Sequence, residues 1–96
     1  MIASFHDLAK VELNEAAQYY ERESPGLGVA FVTEVERCTA AVLENPEASP
    51  IVTRAIRRRP LRRFPYGLLY RVRTEQVRIL AVMNLKRRPG CRVGRA

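Results

Sequence analysis

Arginine is the residue through which this chain can do chemistry. From position 57 it reads Arg57-Arg58-Arg59-Pro60-Leu61-Arg62-Arg63-Phe64-Pro65-Tyr66-Gly67-Leu68-Leu69-Tyr70-Arg71-Val72-Arg73. A guanidinium stays charged at physiological pH and presents a planar fork of donors that matches two oxygens of a phosphate or carboxylate. In an extended segment alternate side chains point to opposite faces. Leu61, Phe64, Leu68, Tyr70 and Val72 can pack inward while Arg62, Arg71, Arg73 and Arg78 array on the other side as a basic sheet face. The bland alternatives are a solvated arginine edge at positions 57, 58, 59, 62 and 63 that blocks sheet aggregation, and core packing for Tyr66 and Tyr70.

The charge distribution strengthens the first reading. Residues 1–50 carry three basic groups against nine acids, net −6, while residues 51–96 carry fourteen basic groups against one acid, Glu75, net +13. A split this large points to an anionic partner for the second half. The other side-chain chemistries are thin. Cys38 and Cys91 lie far apart without CxxC spacing, which reads as two reduced thiols in a cytoplasmic protein. His6 is the single imidazole, so the four clustered ligands of structural zinc are not in view. No metal and no cofactor is expected.

Ninety-six residues make one domain, 1–96, with a thin core and little room for a deep pocket. The longest aliphatic run, Ile79 to Met83, is far too short to span a membrane, and Met1 to Asp7 lacks the pattern of a signal peptide. Ile2 to Phe5 reads as a first strand, after which Asp7 offers a capping carboxylate. Leu13, Ala16, Ala17 and Tyr20 fall on one helical stripe, with Glu12, Glu15 and Glu21 off it and facing water. Ser24-Pro25 restarts the chain as a second helix. Its apolar face is Leu27, Phe31, Val35, Cys38 and Val42, and Asn45-Pro46 ends it. The short joint predicts an antiparallel helical hairpin. Ala55-Ile56 and Leu61 read as brief strands. Residues 68–73 and 76–82 flank the two-residue turn Thr74-Glu75 as a β-hairpin. The tail from about residue 84 is expected to be loosely held unless bound. The predicted class is α+β: strand, helical hairpin, small antiparallel sheet.

The order of residues also resembles a family. "IRR…LRRFPYGLLYRV" followed by "VRILAVMNLKRRPG" looks like the central and C-terminal strands of RelE/ParE-type toxins of type II toxin–antitoxin systems. "FHDLAKVELNEAAQYYERESPGLGVAFVTEVE", with Tyr19-Tyr20 and the Pro25-Gly26-Leu27-Gly28 turn, resembles that family's first strand and hairpin. The resemblance covers about residues 2–90 and leans to the ParE branch, which implies a gyrase-inhibiting toxin held by a cognate antitoxin in a hetero-oligomer. The RelE branch implies a ribosome-dependent messenger-RNA endoribonuclease instead. Arg87 matches one functional arginine of that branch, but Gly67 stands where it carries another, and no tyrosine follows Tyr70. His6 and Glu75 remain as proton carriers outside the motif, and Asn84 stands where many ParE-like members have histidine. No catalytic residue is assigned. A non-toxic basic nucleic-acid-binding member is the third reading. Candidate target contacts are Arg71, Arg73, Arg78, Lys86, Arg87 and Arg88; candidate antitoxin contacts are Arg57, Arg58, Arg62 and Arg63.

Overall fold

Ile2–Phe5 forms the first strand, β1, in a computed structural model that describes residues 1–86. Two helices follow, α1 (Asp7–Glu23) and α2 (Leu27–Glu44), then the strands β2 (Ile51–Thr53), β3 (Ile56–Pro60), β4 (Tyr66–Arg73) and β5 (Gln76–Asn84). They form one five-stranded sheet in the order β1-β5-β4-β3-β2. Neighbours are antiparallel except β1, which joins β5 in parallel, Phe5 opposite Ile79. The sheet is therefore mixed, with its first strand beside its last. Arg87, Arg88, Cys91 and the rest of the tail lie outside the described residues.

The start of α1 differs from the expectation. The capping group is the His6 imidazole, whose Nδ1 accepts the Leu8 N–H at 3.1 Å, while Asp7 sits inside the first turn. Asp7 still acts favourably there, as a negative charge at the positive end of the helix dipole. The second helix begins at Leu27 with Gly26 as its cap, two residues later than Ser24-Pro25 implied. No side chain of Gly26 can serve, so Glu21 reaches across from α1. Its carboxylate accepts the N–H of Gly26 at 2.9 and 3.1 Å and of Gly28 at 3.0 Å. Glu21 does not simply face water; it closes the hairpin.

Glycine is required twice in this joint. Gly26 has φ of +87°, the left-handed region where a Cβ is penalised. A Cβ on Gly28 would stand 2.5 Å from the Ala17 carbonyl oxygen, so this glycine lets the helices close on each other.

The helices cover one face of the sheet. Phe31, Val35, Cys38 and Val42 of α2 and Ala9 and Ala16 of α1 meet Leu68, Tyr70, Val77, Ile79 and Val82 in the main core. Phe31 is its hub, with ring centroids 5.4 Å from Tyr20 and 5.1 Å from both Phe64 and Tyr66. Tyr70 is wholly buried, and its hydroxyl donates to the Pro46 carbonyl at 2.7 Å. Burial, followed by the nearby Tyr66 and Tyr19, raises the Tyr20 phenol above its ordinary pKa.

A second buried cluster, Ile56, Leu69, Leu80, Ala81 and Met83, lies on the face away from the helices. Its origin is an irregularity in β5. Tyr70 pairs with Ile79 but Leu69 pairs with Ala81, so Leu80 is an extra residue. Such a bulge shifts the phase of the alternation. Ile79 and Val82 can then both face the helices, which explains the unbroken aliphatic run. The other correction concerns Ala55. It is no strand residue; Arg54 and Ala55 form the turn between β2 and β3, with φ of +46° and +66°. Both residues left-handed is the twist a two-residue hairpin favours, normally supplied by asparagine or glycine.

Candidate functional site

Strand register decides which arginines share a surface. Arg71 of β4 stands opposite Arg78 of β5 on one side and Ile56 of β3 on the other. Arg73 follows two residues on along β4, and Arg58 is paired with Leu69. All four belong to the face away from the helices. Like charges directly opposite on neighbouring strands repel, and among the described residues no carboxylate comes within ion-pairing distance of any of them. Arg78 is aimed by its neighbours: Nη1 donates to Ser4 Oγ at 3.2 Å and to the Phe5 carbonyl at 3.3 Å. The Nε of Arg71 is shut off from solvent with no acceptor among the described residues. An unsatisfied buried donor costs about 1–3 kcal/mol.

The remaining candidates do not share this face. Arg62 was expected on it, but the residue falls in the loop after β3 and is exposed there with Arg63. That loop is pinned from beneath. Glu34 of α2, 8% exposed, accepts the Arg62 backbone N–H at 2.6 Å and chelates Arg37 at 2.7 and 2.9 Å. The Arg37 hydrogen bonds, outweighing burial, hold its carboxyl down at about 2. Arg63 lies over the Phe64 ring at 5.4 Å. Arg57 points to the helix side of the sheet, opposite Tyr70, and its Nη1 donates to the carbonyls of Glu47 at 3.0 Å and Ser49 at 2.7 Å. It latches the connection between α2 and β2. Thus Arg57, Arg58, Arg62 and Arg63 divide among a structural latch, the outer sheet face and a loop. Lys86 is exposed, at the end of β5, its N–H donating to Asn84 Oδ1 at 2.9 Å.

Two further features are not marked by arginine content. A cavity of about 530 Å³ lies between α1 and the sheet, lined by Glu12, Glu15, Tyr19, Tyr66, Asn84 and Lys86 among others. Glu12 was expected to face water; its carboxylate accepts the Val82 N–H at 3.1 Å. Two shallow apolar hollows of about 450 and 370 Å³ run along the helical hairpin and share Val32 and Glu36. Val29, 69% exposed, lines the first of them. The paired tyrosines were the available signal for the first. For the second it was the valines of α2 off the stripe.

At Gly67 the backbone itself is informative. A Cβ there would stand 3.0 Å from Leu85 Cδ2 and 3.2 Å from the Arg59 carbonyl oxygen. The spot is filled by neighbours, with tight quarters for a longer side chain.

The family model described as ParE toxin of type II toxin-antitoxin system, parDE, matches residues 3–89. The chain belongs to the ParE toxin family. Among solved structures, a chain described as "Chromosomal ParDE TA system from P. aeruginosa" superposes with a TM-score of 0.77 at 19% identity, covering 88% of this chain and 95% of that one. At that identity the likeness speaks for the fold, which is the α+β architecture expected. No curated protein matches. Membership in the ParE family makes this the toxin component of a type II toxin–antitoxin system, and so one with an antitoxin as partner. Among the described residues no helix is long and apolar enough to cross a membrane.

Proposed function

We propose that this ParE-family toxin is a binding poison of DNA gyrase, neutralised by a cognate acidic antitoxin. The observation that carries the reading is the outer sheet face, where Arg58, Arg71, Arg73 and Arg78 gather without a carboxylate to neutralise them. A surface built this way recognises an anionic target and needs no catalytic set of its own. Gly67 supports the choice of binding over cleavage, since the position where the ribonuclease branch carries an arginine is closed in by Leu85 and Arg59. Such a poison acts in the cytoplasm.

The antitoxin segment is amphipathic in this reading. Its apolar side suits the hollows of the helical hairpin around Val29 and Val32, and its acids suit Arg62 and Arg63 on the exposed loop. The test of the central claim is a gyrase assay on supercoiled DNA with the purified toxin. Stabilised double-strand breaks are expected, and suppressed by adding antitoxin. A folded toxin that arrests growth yet leaves gyrase uninhibited would remove gyrase from the account.

One observation favours the ribonuclease alternative. The cavity of Glu12, Glu15, Tyr66 and Lys86 gathers carboxylates, a phenol and an ammonium, groups able to move protons around a phosphate. Ribosome-dependent cleavage of messenger RNA that disappears in Glu15→Gln and Tyr66→Phe would establish that reading instead.

A further inference from the structure

We propose that the sheet face turned away from the helices docks the phosphodiester backbone of duplex DNA, with Arg71 and Arg78 as its central pair and Arg58 and Arg73 flanking them. The inference deepens the gyrase-poison reading and rests on it for its biological role, since a poison of a DNA-cleaving enzyme works beside DNA. The binding itself is a property of this chain and can be read with gyrase absent.

Four observations carry it. First, the register sets Arg71 and Arg78 side by side on adjacent strands, so two guanidinium forks meet one region of space. Second, one of the pair is held before any ligand arrives. Arg78 is fixed by Ser4 Oγ and the Phe5 carbonyl, with Gln76 Nε2 donating to the same Ser4 oxygen at 2.7 Å. The Nε of Arg71 is buried without an acceptor among the described residues, and its terminal nitrogens reach the surface with no hydrogen bond to a described residue, free to meet an incoming anion. Third, no acid among the described residues pairs with the four, so an incoming anion meets no competitor on the protein.

The fourth observation selects the kind of anion. The apolar residues of this face, Ile56, Leu69, Leu80, Ala81 and Met83, are at most 1% exposed. A partner peptide would find charge here but no apolar pocket to seat its side chains. Most exposed apolar residues are elsewhere: Leu8, Val11 and Tyr19 on α1, Val29 on α2, and Ile51 and Val52 on the edge strand β2; Ile2, 67% exposed, stands beside Gln76 at the β1 edge of this face. A surface of cations whose central apolar residues are covered, with Ile2 exposed only at its edge, suits a polyanion bound through its backbone. Duplex DNA presents one charge per ~1.7 Å of axis, dense enough to engage several cations at once. Arg58 and Arg73 sit level with positions 69 and 73 of β4, so the cations extend over roughly 14 Å along the strands. That is a stripe rather than a point.

The experiment is fluorescence anisotropy of a labelled duplex of mixed sequence with the full-length toxin, gyrase absent, from ~50 to ~200 mM salt. Binding is expected that weakens steeply with salt. Arg71→Gln with Arg78→Gln should lower the slope of log affinity against log salt by about 2, one unit per phosphate contact removed. Arg58→Gln with Arg73→Gln, at positions nearer the rim, should lower it similarly and keeps the test alive if the central pair fails to fold. Circular dichroism melts certify each variant. No duplex binding at the lowest salt overturns the proposal, and so do slopes unchanged in both folded variants. Tighter binding of a poly-glutamate peptide than of the duplex overturns it in favour of an acidic protein partner. Duplex binding without gyrase-dependent breaks retires the poison reading alone; breaks without duplex binding retire this one alone.

Discussion

The buried carboxylate of Glu34 accepts the backbone N–H of Arg62, 28 residues along the chain, at 2.6 Å. One helix side chain thereby fixes the loop that carries Arg62 and Arg63, and Arg37 completes the arrangement from the same helix. The folded carboxyl titrates at about 2 against its ordinary 4.5. A depressed carboxylate stabilises the fold fully above its unfolded pKa, and the contribution is lost as pH falls through the folded one. Stability measured by denaturant at stepped pH should therefore fall by about 2 kcal/mol between pH 4.5 and 2 through this group. Glu34→Gln should flatten that part of the curve. An unchanged curve in the variant would show that the contact does not hold in solution.

Gly28→Ala tests the approach of the two helices. The new methyl would meet the Ala17 carbonyl oxygen, a backbone atom that cannot swing away. A loss of about 1–3 kcal/mol is expected from overpacking, despite alanine's better helix propensity. A stabilised variant would mean that the helices stand further apart than described.

Ala55→Gly should act in the opposite direction. Ala55 holds a left-handed backbone, φ +66°, in the turn between β2 and β3. Releasing its Cβ from that region should stabilise by about 1 kcal/mol, read as a rise in denaturation midpoint at constant slope. A lower midpoint would argue against this turn geometry.

Phe31→Ala removes the hub of the aromatic core, where Tyr20, Phe64 and Tyr66 converge. The expected loss is ~3–5 kcal/mol. A loss below ~1 kcal/mol would put the helix face in the wrong orientation.

Toxin–antitoxin association should be steered by charge. Its rate, measured by stopped flow, should drop between ~50 and ~500 mM salt, where the Debye length shrinks roughly threefold. Arg62→Gln with Arg63→Gln should flatten that dependence without unfolding the protein, because both side chains are exposed. Arg57 is left intact in this test, since it bonds two carbonyls of the loop after α2. Equal salt dependence for both proteins would assign the antitoxin contact to other residues.

Much of the architecture was legible because it repeats a period. The α2 stripe from Phe31 to Val42 and the hairpin around Thr74-Glu75 stand where the spacing predicts. What was not legible has local causes. The β2–β3 turn uses Arg54-Ala55, which carries no asparagine or glycine to announce it. The helix starts were misread because their caps are unusual: an imidazole at His6, and at Gly26 a carboxylate lent by Glu21. For the arginines, composition gave the cluster but not its division. Alternation puts the adjacent Arg57 and Arg58 on opposite faces, and only register says which of them meets Tyr70 on the helix side and which meets Leu69 on the outer side. The Leu80 bulge has the same character, since a one-residue insertion is invisible until the partner strand is known.

The pairing of β1 with β5 sets a timetable for the making of this toxin. Ser4 meets Arg78 across a separation of 74 residues, so the first strand has no partner until nearly the whole domain has been synthesised. At ~5–20 residues per second that wait is roughly 4–16 s. Throughout it the edge of the sheet is incomplete, and Arg78 lacks the Ser4 and Phe5 oxygens that aim it. A ribosome stalled before residue 79 thus carries a chain whose first strand is still unpaired. The parallel strand pair and the aim of Arg78 are completed together, in one late step.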